Sequence, residues 1–383
     1  MLPRLIFEPE HHQFRDAVRR WAEAEVFPHG AAWRAAGSVS AEVWRQAGAQ
    51  GFLCPFAAEE HGGLGLDDIR YDMILTEELN PREPGFFIAL HNRIVGPYLQ
   101  KFASPAQQAR FLPGVVSGET ILAIAMTEPG TGSDLAAIRT RAEDKGDHWL
   151  LNGSKTYISN GLLAGLVVVA ARTGPGHEIG LFLVEAGMEG FRRGQPLQKL
   201  GLKSQDTAEL FFDDVKVPKT HVLGDPAKGF KMMMTNLAEE RLIGAAGFVA
   251  RAERALAITL DYVQERRAFG QAIGMFQNTR FQLASLRTEV DAAQALVDQC
   301  AMAHLGGQLT AELAAEAKLF SSEVEGRVVD GCLQLFGGAG YMEEYEISRL
   351  YADARISRIY AGTSEIMREI IGRGMGLDGR NRN

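Results

Sequence analysis

The chain has 383 residues, with 40 Lys and Arg against 48 Asp and Glu, a net charge of −8 at neutral pH. That length exceeds the roughly 250–300 residues a single core usually serves, so two or three domains are expected. A composition 46% hydrophobic and 23% charged excludes widespread disorder, and the mild acidity excludes a nucleic-acid footprint or a basic membrane-surface patch.

Cys54, Cys300 and Cys332 lie far apart, without a CxxC pair or a histidine at metal-ligand spacing. No disulfide framework or metal site is expected, and a reducing compartment fits. The longest apolar stretch, Leu162 to Ala171, is about half of what a bilayer span needs. The N-terminus, MLPRLIFEPEHH, carries charges where a signal peptide needs an apolar core. A cytoplasmic protein is expected, or a mitochondrial matrix protein if a transit peptide has been removed.

Residues 1–120 read as an N-terminal helical domain. Phe14, Val18, Trp21 and Ala22 recur at helical spacing, and Pro28 with Gly30 ends that run. Further segments near 40–50, 67–80 and 87–102 are separated by Gly/Pro-bearing links. The apolar run from Gly85 to Leu90 is a candidate pocket lining, through Phe86, Phe87 and Ala89. Residues 121–228 switch to strands: ILAIAM, HWLLNG, KTYISNG, LVVVAAR, IGLFLVE and AELFFDDVKVP. Lys145-Gly146-Asp147, Asn152-Gly153, Asn160-Gly161 and Gly174-Pro175-Gly176 read as the turns between them. Short strands without intervening helices predict an antiparallel barrel or sandwich, not a Rossmann domain. Residues 229–383 return to long helices. Leu242, Ala246, Val249, Leu256, Leu260 and Val263 keep a 4-3 step, and Gln277–Leu305, Thr310–Leu335 and Glu346–Tyr360 follow. A four-helix bundle is expected there.

Five motifs can carry chemistry. In Met126-Thr127-Glu128-Pro129-Gly130-Thr131-Gly132-Ser133-Asp134, a glycine turn could bring backbone N–H groups and hydroxyls to an anion; a bland surface turn reads equally well. In Asn152–Gly161 the strand period of two puts Tyr157 and Ser159 on one face, an aromatic plane beside a hydroxyl for a flat heterocycle, or an ordinary barrel tyrosine. Glu239-Glu240-Arg241-Leu242 reads as the opening of a helix, where acids serve the macrodipole unless one faces an apolar cavity as a base for carbon acids. Gln334–Tyr341 ends a helix with three glycines where one would suffice. Ile359–Ile366 opens a last helix whose N–H groups could hold an oxygen.

The order and spacing of TEPGTGSD, NGSKTYISNG, ERRAFGQ, QLFGGAGY and IYAGTSEI resemble the acyl-CoA dehydrogenase family, nearest its long-chain and isovaleryl branches. The resemblance implies a helical domain, a β domain and a helical bundle around FAD. It implies flavin contacts at Met126, Thr127, Gly132 and Ser133, with Ser133 also bordering the acyl-CoA entrance. Tyr157, Ile158 and Ser159 would border the isoalloxazine, where many relatives carry Trp or Phe and then Thr. Arg266, Phe269, Gln277, Gln334, Gly337 and Gly338 match residues reaching FAD from a neighbouring subunit, and Thr363 and Glu365 match further contacts. A shared cofactor site implies a homo-oligomer, by family habit a tetramer.

The catalytic base is the informative position. Most short- and medium-chain relatives carry a glutamate just before the Gly-Thr-Ser of the last loop; here that residue is Ala361, which takes no proton. The long-chain and isovaleryl branches place the base in the bundle helix immediately before an arginine, matching Glu240 before Arg241. The resemblance implies that Glu240 removes the α-proton and that the Ala361 N–H polarises the thioester oxygen, with Arg241 and Gly362 at the substrate. β-Hydride transfer to flavin N5 would leave a trans-2-enoyl-CoA, and the electrons would pass to an electron-transferring flavoprotein. Two alternatives stay open on sequence: a catalytically silent scaffold, suggested by Ala361, and a flavin oxidase or monooxygenase on the same fold.

Overall fold

Sequence punctuation sets most element boundaries in this computed structural model, which describes residues 3–174, 176 and 178–377. The first region holds α1 (Pro9–Glu25), α2 (Gly30–Ala36), α3 (Ala41–Ala49), α4 (Ile69–Leu79), α5 (Gly96–Phe102) and α6 (Pro105–Ser117). α6 shows the local logic: the Ser104 hydroxyl accepts from the Gln107 N–H, the Gln107 carbonyl oxygen accepts from the Ser104 N–H, and Pro105 occupies the first turn. Val18, Trp21, Trp44, Phe52 and Phe86 form one core here. Phe86 is wedged against Trp44 and Trp21, ring centroids 4.7 and 6.0 Å away, so it is a packing residue and not a pocket lining. Ala89 packs into the C-terminal core, whereas half-buried Phe87 touches two cores at once.

The expected continuous helix over 87–102 is interrupted. Leu90–Val95 is a π-helical turn leading into α5. Pro97 brings no N–H to the carbonyl of Arg93 four residues earlier, so regular α-helical bonding cannot be completed there.

The middle region contributes β1 (Leu122–Ala125), β2 (Arg141–Asp144), β3 (His148–Ser159), β4 (Leu166–Arg172), β5 (Ile179–Glu185), β6 (Phe191–Arg193), β7 (Thr207–Pro218) and β8 (Val222–Leu223). They form one sheet in the order β6-β7-β3-β2-β4-β5-β8, with β1 alongside β4. Pairing is largely antiparallel, as expected, but β1 runs parallel to β4, and β2 joins β4 through one parallel pair. The stretch from Leu162 to Ala171 is mostly β4, buried from Leu166 through Ala171, so burial on both faces explains its unbroken hydrophobicity.

One turn assignment needs correction. HWLLNG and KTYISNG form the single strand β3, because Asn152-Gly153 is a β-bulge and not a turn. The Asn152 amide holds Asp214 opposite by bonds of 2.9 and 3.0 Å, and a side chain on Gly153 would strike Thr140. Lys145–Asp147 does turn the chain, with the Lys145 N–H 2.9 Å from the His148 carbonyl. Within Gly174-Pro175-Gly176, Pro175 lies outside the described residues.

The last region holds α7 (Gly229–Glu265), the two-residue strands β9 (Arg267–Ala268) and β10 (Gln271–Ala272), α8 (Gln277–Leu305), α9 (Ala311–Phe336), α10 (Glu346–Ala354) and α11 (Ser364–Gly374). The predicted segment Glu346–Tyr360 thus ends at Ala354 and continues as a short 3-10 turn. Leu242, Ala246, Val249, Leu256 and Val263 are buried, but Leu260 is exposed despite keeping the step. α7 packs on α8 and α9 and also on α4, so this 37-residue helix belongs to the bundle and to the wall of the first region. All three cysteines are free and buried, and among the described residues no helix is long and apolar enough to cross a membrane.

Candidate active site

α7 begins at Gly229, so Glu239-Glu240-Arg241 lies about three turns inside the helix, not at its opening. The macrodipole reading of these acids therefore fails. Both are buried, yet their surroundings differ. Glu239 receives Arg93 Nη1 at 2.9 Å and Lys101 Nζ at 3.2 Å, with His304 Nε2 at 3.7 Å. Burial alone would raise its pKa, but His304, Arg93 and Lys101 outweigh it and bring the value down to about 2. For Glu240 burial wins and pushes the pKa up to about 7, against the opposing Asn236 hydrogen bond and Arg241 charge. Neighbouring carboxylates with proton affinities driven apart are a signature of assigned acid–base roles.

Glu240 sits among named neighbours. Asn236 Nδ2 lies 3.3 Å from its Oε1. Tyr98 presents a buried hydroxyl with no hydrogen-bond partner, and burial next to Glu240 keeps that phenol strongly protonated. Arg241 is buried too, its Nε without a partner. Its Nη2 comes within 4.0 Å of the point where a side chain on Gly362 would begin. The structure thus brings Arg241, the neighbour of Glu240 in α7, to the loop carrying Ala361 and Gly362.

That loop is held by its backbone. Ala361 adopts φ of 52° and Gly362 φ of 93°, both left-handed, and a Cβ on Gly362 would meet Met367 Cε at 2.6 Å. Lys318 Nζ, fully buried on α9, donates to the Gly362 carbonyl at 2.6 Å. Burial lowers the Lys318 pKa to about 8. Thr363 caps α11, its hydroxyl accepting from the Ile366 N–H at 3.3 Å; Glu365 is exposed, and the buried Ser364 Oγ has no partner.

On the sheet side, Met126 and Thr127 are half-buried and lead into a tight turn, where Glu128 and Thr131 exchange backbone bonds of 2.9 and 3.0 Å. The buried Glu128 carboxylate accepts from Arg139 N–H, Thr140 N–H and Lys155 Nζ, and Lys155 also donates to the Met126 carbonyl at 3.0 Å. Gly130, Gly132 and Ser133 are exposed, and a Cβ on either glycine would meet nothing within 4 Å. A pinned turn with open backbone suits an anionic ligand.

Tyr157 departs from the predicted strand geometry. A register shift between Lys155 and Ile158 gives it φ of 60° and leaves it 70% exposed; Ile158 is buried and Ser159 half-buried. Strict alternation, which aligned Tyr157 with Ser159, does not run through a bulge. The exposed ring is nonetheless available to a planar ligand.

Arg266, Phe269, Gln277, Gln334, Gly337 and Gly338 are all exposed at one end of the bundle. Tyr262 stacks on Phe336 at 4.1 Å and so draws the end of α7 to the end of α9. Phe269 is 96% exposed, and Gly337 and Gly338 face open space. Gly340 differs, since its Cβ would strike the Leu333 carbonyl, so the three glycines answer two separate demands. Among the described residues no hydrogen bond or ring contact links this end to the 126–134 loop or to Tyr157.

Sequence reasoning passed over Glu128, Lys155, Asn236, Lys101, Tyr98 and Lys318. Glu128 and Lys155 carry opposite charges inside adjoining motifs, a usable signal; the others have no sequence signal, because only tertiary packing brings them to the site.

This geometry has counterparts. Family models for the acyl-CoA dehydrogenase N-terminal, middle and C-terminal domains match residues 8–119, 123–215 and 227–376. The chain is 46% identical over 377 residues to the mitochondrial long-chain specific acyl-CoA dehydrogenase of Sus scrofa, covering 97% of this chain and 87% of that protein. It is 36% identical over 376 residues to the mitochondrial isovaleryl-CoA dehydrogenase of Oryza sativa subsp. japonica, covering 96% and 92%. The crystal structure of an acyl-CoA dehydrogenase from Geobacillus kaustophilus superposes with a TM-score of 0.95 at 43% identity, covering 97% of this chain and all of that one. A helix–sheet–bundle order, a buried carboxylate next to an arginine that reaches a left-handed loop and these whole-length matches have one reading: the chain belongs to the acyl-CoA dehydrogenase family and is an oxidoreductase of acyl-CoA thioesters.

Proposed function

We propose that the protein converts an acyl-CoA to its trans-2-enoyl-CoA, with Glu240 as the base and FAD as the resident cofactor. The observation that carries this is a buried carboxylate whose pKa burial pushes up to about 7, adjacent in α7 to the arginine that reaches Gly362. The α-C–H of a thioester is weakly acidic, and a desolvated carboxylate is a stronger base than a hydrated one. Glu240 takes the α-proton. The Ala361 N–H, aimed by its left-handed backbone and by Lys318 on the next carbonyl, donates to the thioester oxygen as enolate charge develops. Arg241 borders the same space and orients the thioester beside Gly362.

The residues fit FAD. The Gly130–Ser133 backbone stands open and would take the pyrophosphate, with Thr127 and Met126 beside it; Tyr157, Ile158 and Ser159 would hold the ring system, and Thr363 and Glu365 would add contacts from the last loop. Bound FAD would accept the β-hydride at N5 and pass the electrons to an electron-transferring flavoprotein. Arg266, Phe269, Gln277, Gln334, Gly337 and Gly338 would complete that site on a neighbouring copy within a homotetramer, which accounts for so apolar a residue as Phe269 lying bare. We keep the three-part division near residues 120 and 228. We assign the work to a bacterial cytoplasm or, after transit-peptide removal, a mitochondrial matrix.

Anaerobic bleaching of the FAD-loaded enzyme with straight and branched acyl-CoAs from C4 to C18 tests the reading and ranks the substrates. Glu240→Gln should bind FAD normally and bleach at least about 10³-fold more slowly. Equal bleaching in both proteins would remove Glu240 from the mechanism.

A further inference from the structure

We propose that Asn236 is a positioning residue for the base: its amide, locked by Lys101 and two backbone carbonyls, donates to Glu240 and fixes how that carboxylate faces the substrate. This rests on Glu240 being the base.

Asn236 lies on α7 four residues before Glu240, on the same helix face, and is fully buried. Its Nδ2 has three acceptors within reach: the Ile94 carbonyl at 3.1 Å, Glu240 Oε1 at 3.3 Å and the Arg93 carbonyl at 3.4 Å. Its Oδ1 accepts from Lys101 Nζ at 3.2 Å. Reversing the amide would set its oxygen against two carbonyls and a carboxylate, and its NH2 against an ammonium. Only one orientation is therefore permitted, and it turns a hydrogen toward Glu240.

The acceptors have a structural origin. Arg93 and Ile94 lie in the π-helical turn, and Pro97 supplies no N–H to the Arg93 carbonyl. Pro97 thus leaves the Arg93 carbonyl without its i+4 donor, the Asn236 amide takes up that oxygen and the Ile94 carbonyl, and the amide in turn bonds Glu240. The 3.3 Å bond to Glu240 is long, as catalytic hydrogen bonds often are before substrate arrives. The other charged or titratable groups facing Glu240 are Arg241 and Glu239 on its own helix and Tyr98 on α5. Arg93 and Lys101 are engaged with Glu239, and Lys318 stands beyond Arg241. Asn236 is a neutral donor within bonding distance of the carboxylate.

The test isolates proton abstraction. A 3-thia-acyl-CoA, with sulfur in place of the β-methylene, can lose its α-proton but has no β-hydride to give. Deuterium uptake at its α-carbon in D2O, followed by NMR on the FAD-loaded enzyme across pD, reads the base alone. Asn236→Leu keeps the volume and removes the donor. It should slow exchange about tenfold at neutral pD and move the acid limb of the profile up by about one unit, because a lost bond to the charged form favours the protonated one. Asn236→Gln, which retains an amide, should recover part of that shift. Should the Leu variant fail to fold, Asn236→Ala, which only removes atoms, carries the same readout. A folded variant whose profile superimposes on wild type overturns the proposal. Glu240→Gln separates the two claims: residual exchange there would sink the base itself, whereas abolished exchange with an unmoved Asn236 profile would sink only the positioning role.

Discussion

Glu128 and Glu240 are both almost completely buried, one on the sheet side of the site and one on the bundle side, and they end in opposite states. Burial would raise either pKa. At Glu128, Lys155 and the Thr140 and Arg139 N–H groups outweigh it, and the carboxyl is held below its ordinary range. At Glu240 a single amide and the adjacent Arg241 charge do not, and the pKa climbs to about 7. The fate of a buried acid is thus decided by what is buried with it. The sheet uses its carboxylate as a rivet for a turn, and the bundle leaves its own with too little opposing charge to offset burial.

The contrast can be broken hardest at its riveted end. Lys155→Met should cost about 3 kcal/mol or more in denaturant unfolding, because it strands Glu128 beside two amides. Adding Glu128→Gln should restore a large part of that loss in a double-mutant cycle. A loss below about 1 kcal/mol would mean that the turn does not depend on the pair.

The reactive end is sharpened by pH. A carboxyl whose folded pKa is raised from 4.5 to about 7 leaves stability intact below the lower value and costs progressively more as pH rises through the higher one. Glu240→Gln should therefore be no more stable than wild type near pH 4.5 and more stable by about 3 kcal/mol above pH 8, read from chemical denaturation. Flavin reduction by wild type should rise with pH, half-maximal near 7 in the free enzyme. An equal stability gain at both pH values would refute desolvation as the cause. The smallest effect is expected at Tyr98, whose hydroxyl has no partner. Tyr98→Phe should change stability by less than about 0.5 kcal/mol, and calorimetry would detect more.

The sequence exposed whichever parts of this comparison are local. The TEPGTGSD turn, the strand runs and the long helices are all read within a few residues of themselves, whereas Ala361 and Glu240 are paired only through the resemblance to the family. Errors arose where tertiary context overrode a local rule. Asn152-Gly153 is favoured in hairpins, yet Asp214 and Thr140 across the sheet make it a bulge. Tyr157 loses its strand period to a neighbouring register shift. Glu239 and Glu240 look like helix-opening acids until α7 is seen to begin at Gly229. The residues around Glu240 could not be anticipated, since Tyr98 reaches it, and Lys101 reaches Asn236 and Glu239, only after two helices have packed.

The wide turn at Leu90–Val95 places a strict demand on chain length. Deleting one amino acid there to restore ordinary winding would rotate all of α5 by about 100° relative to what precedes it. Tyr98 would swing off Glu240, and Lys101 would leave Asn236 and Glu239 on α7. A single missing codon there would dismantle the packing of α5 against α7 around Glu240.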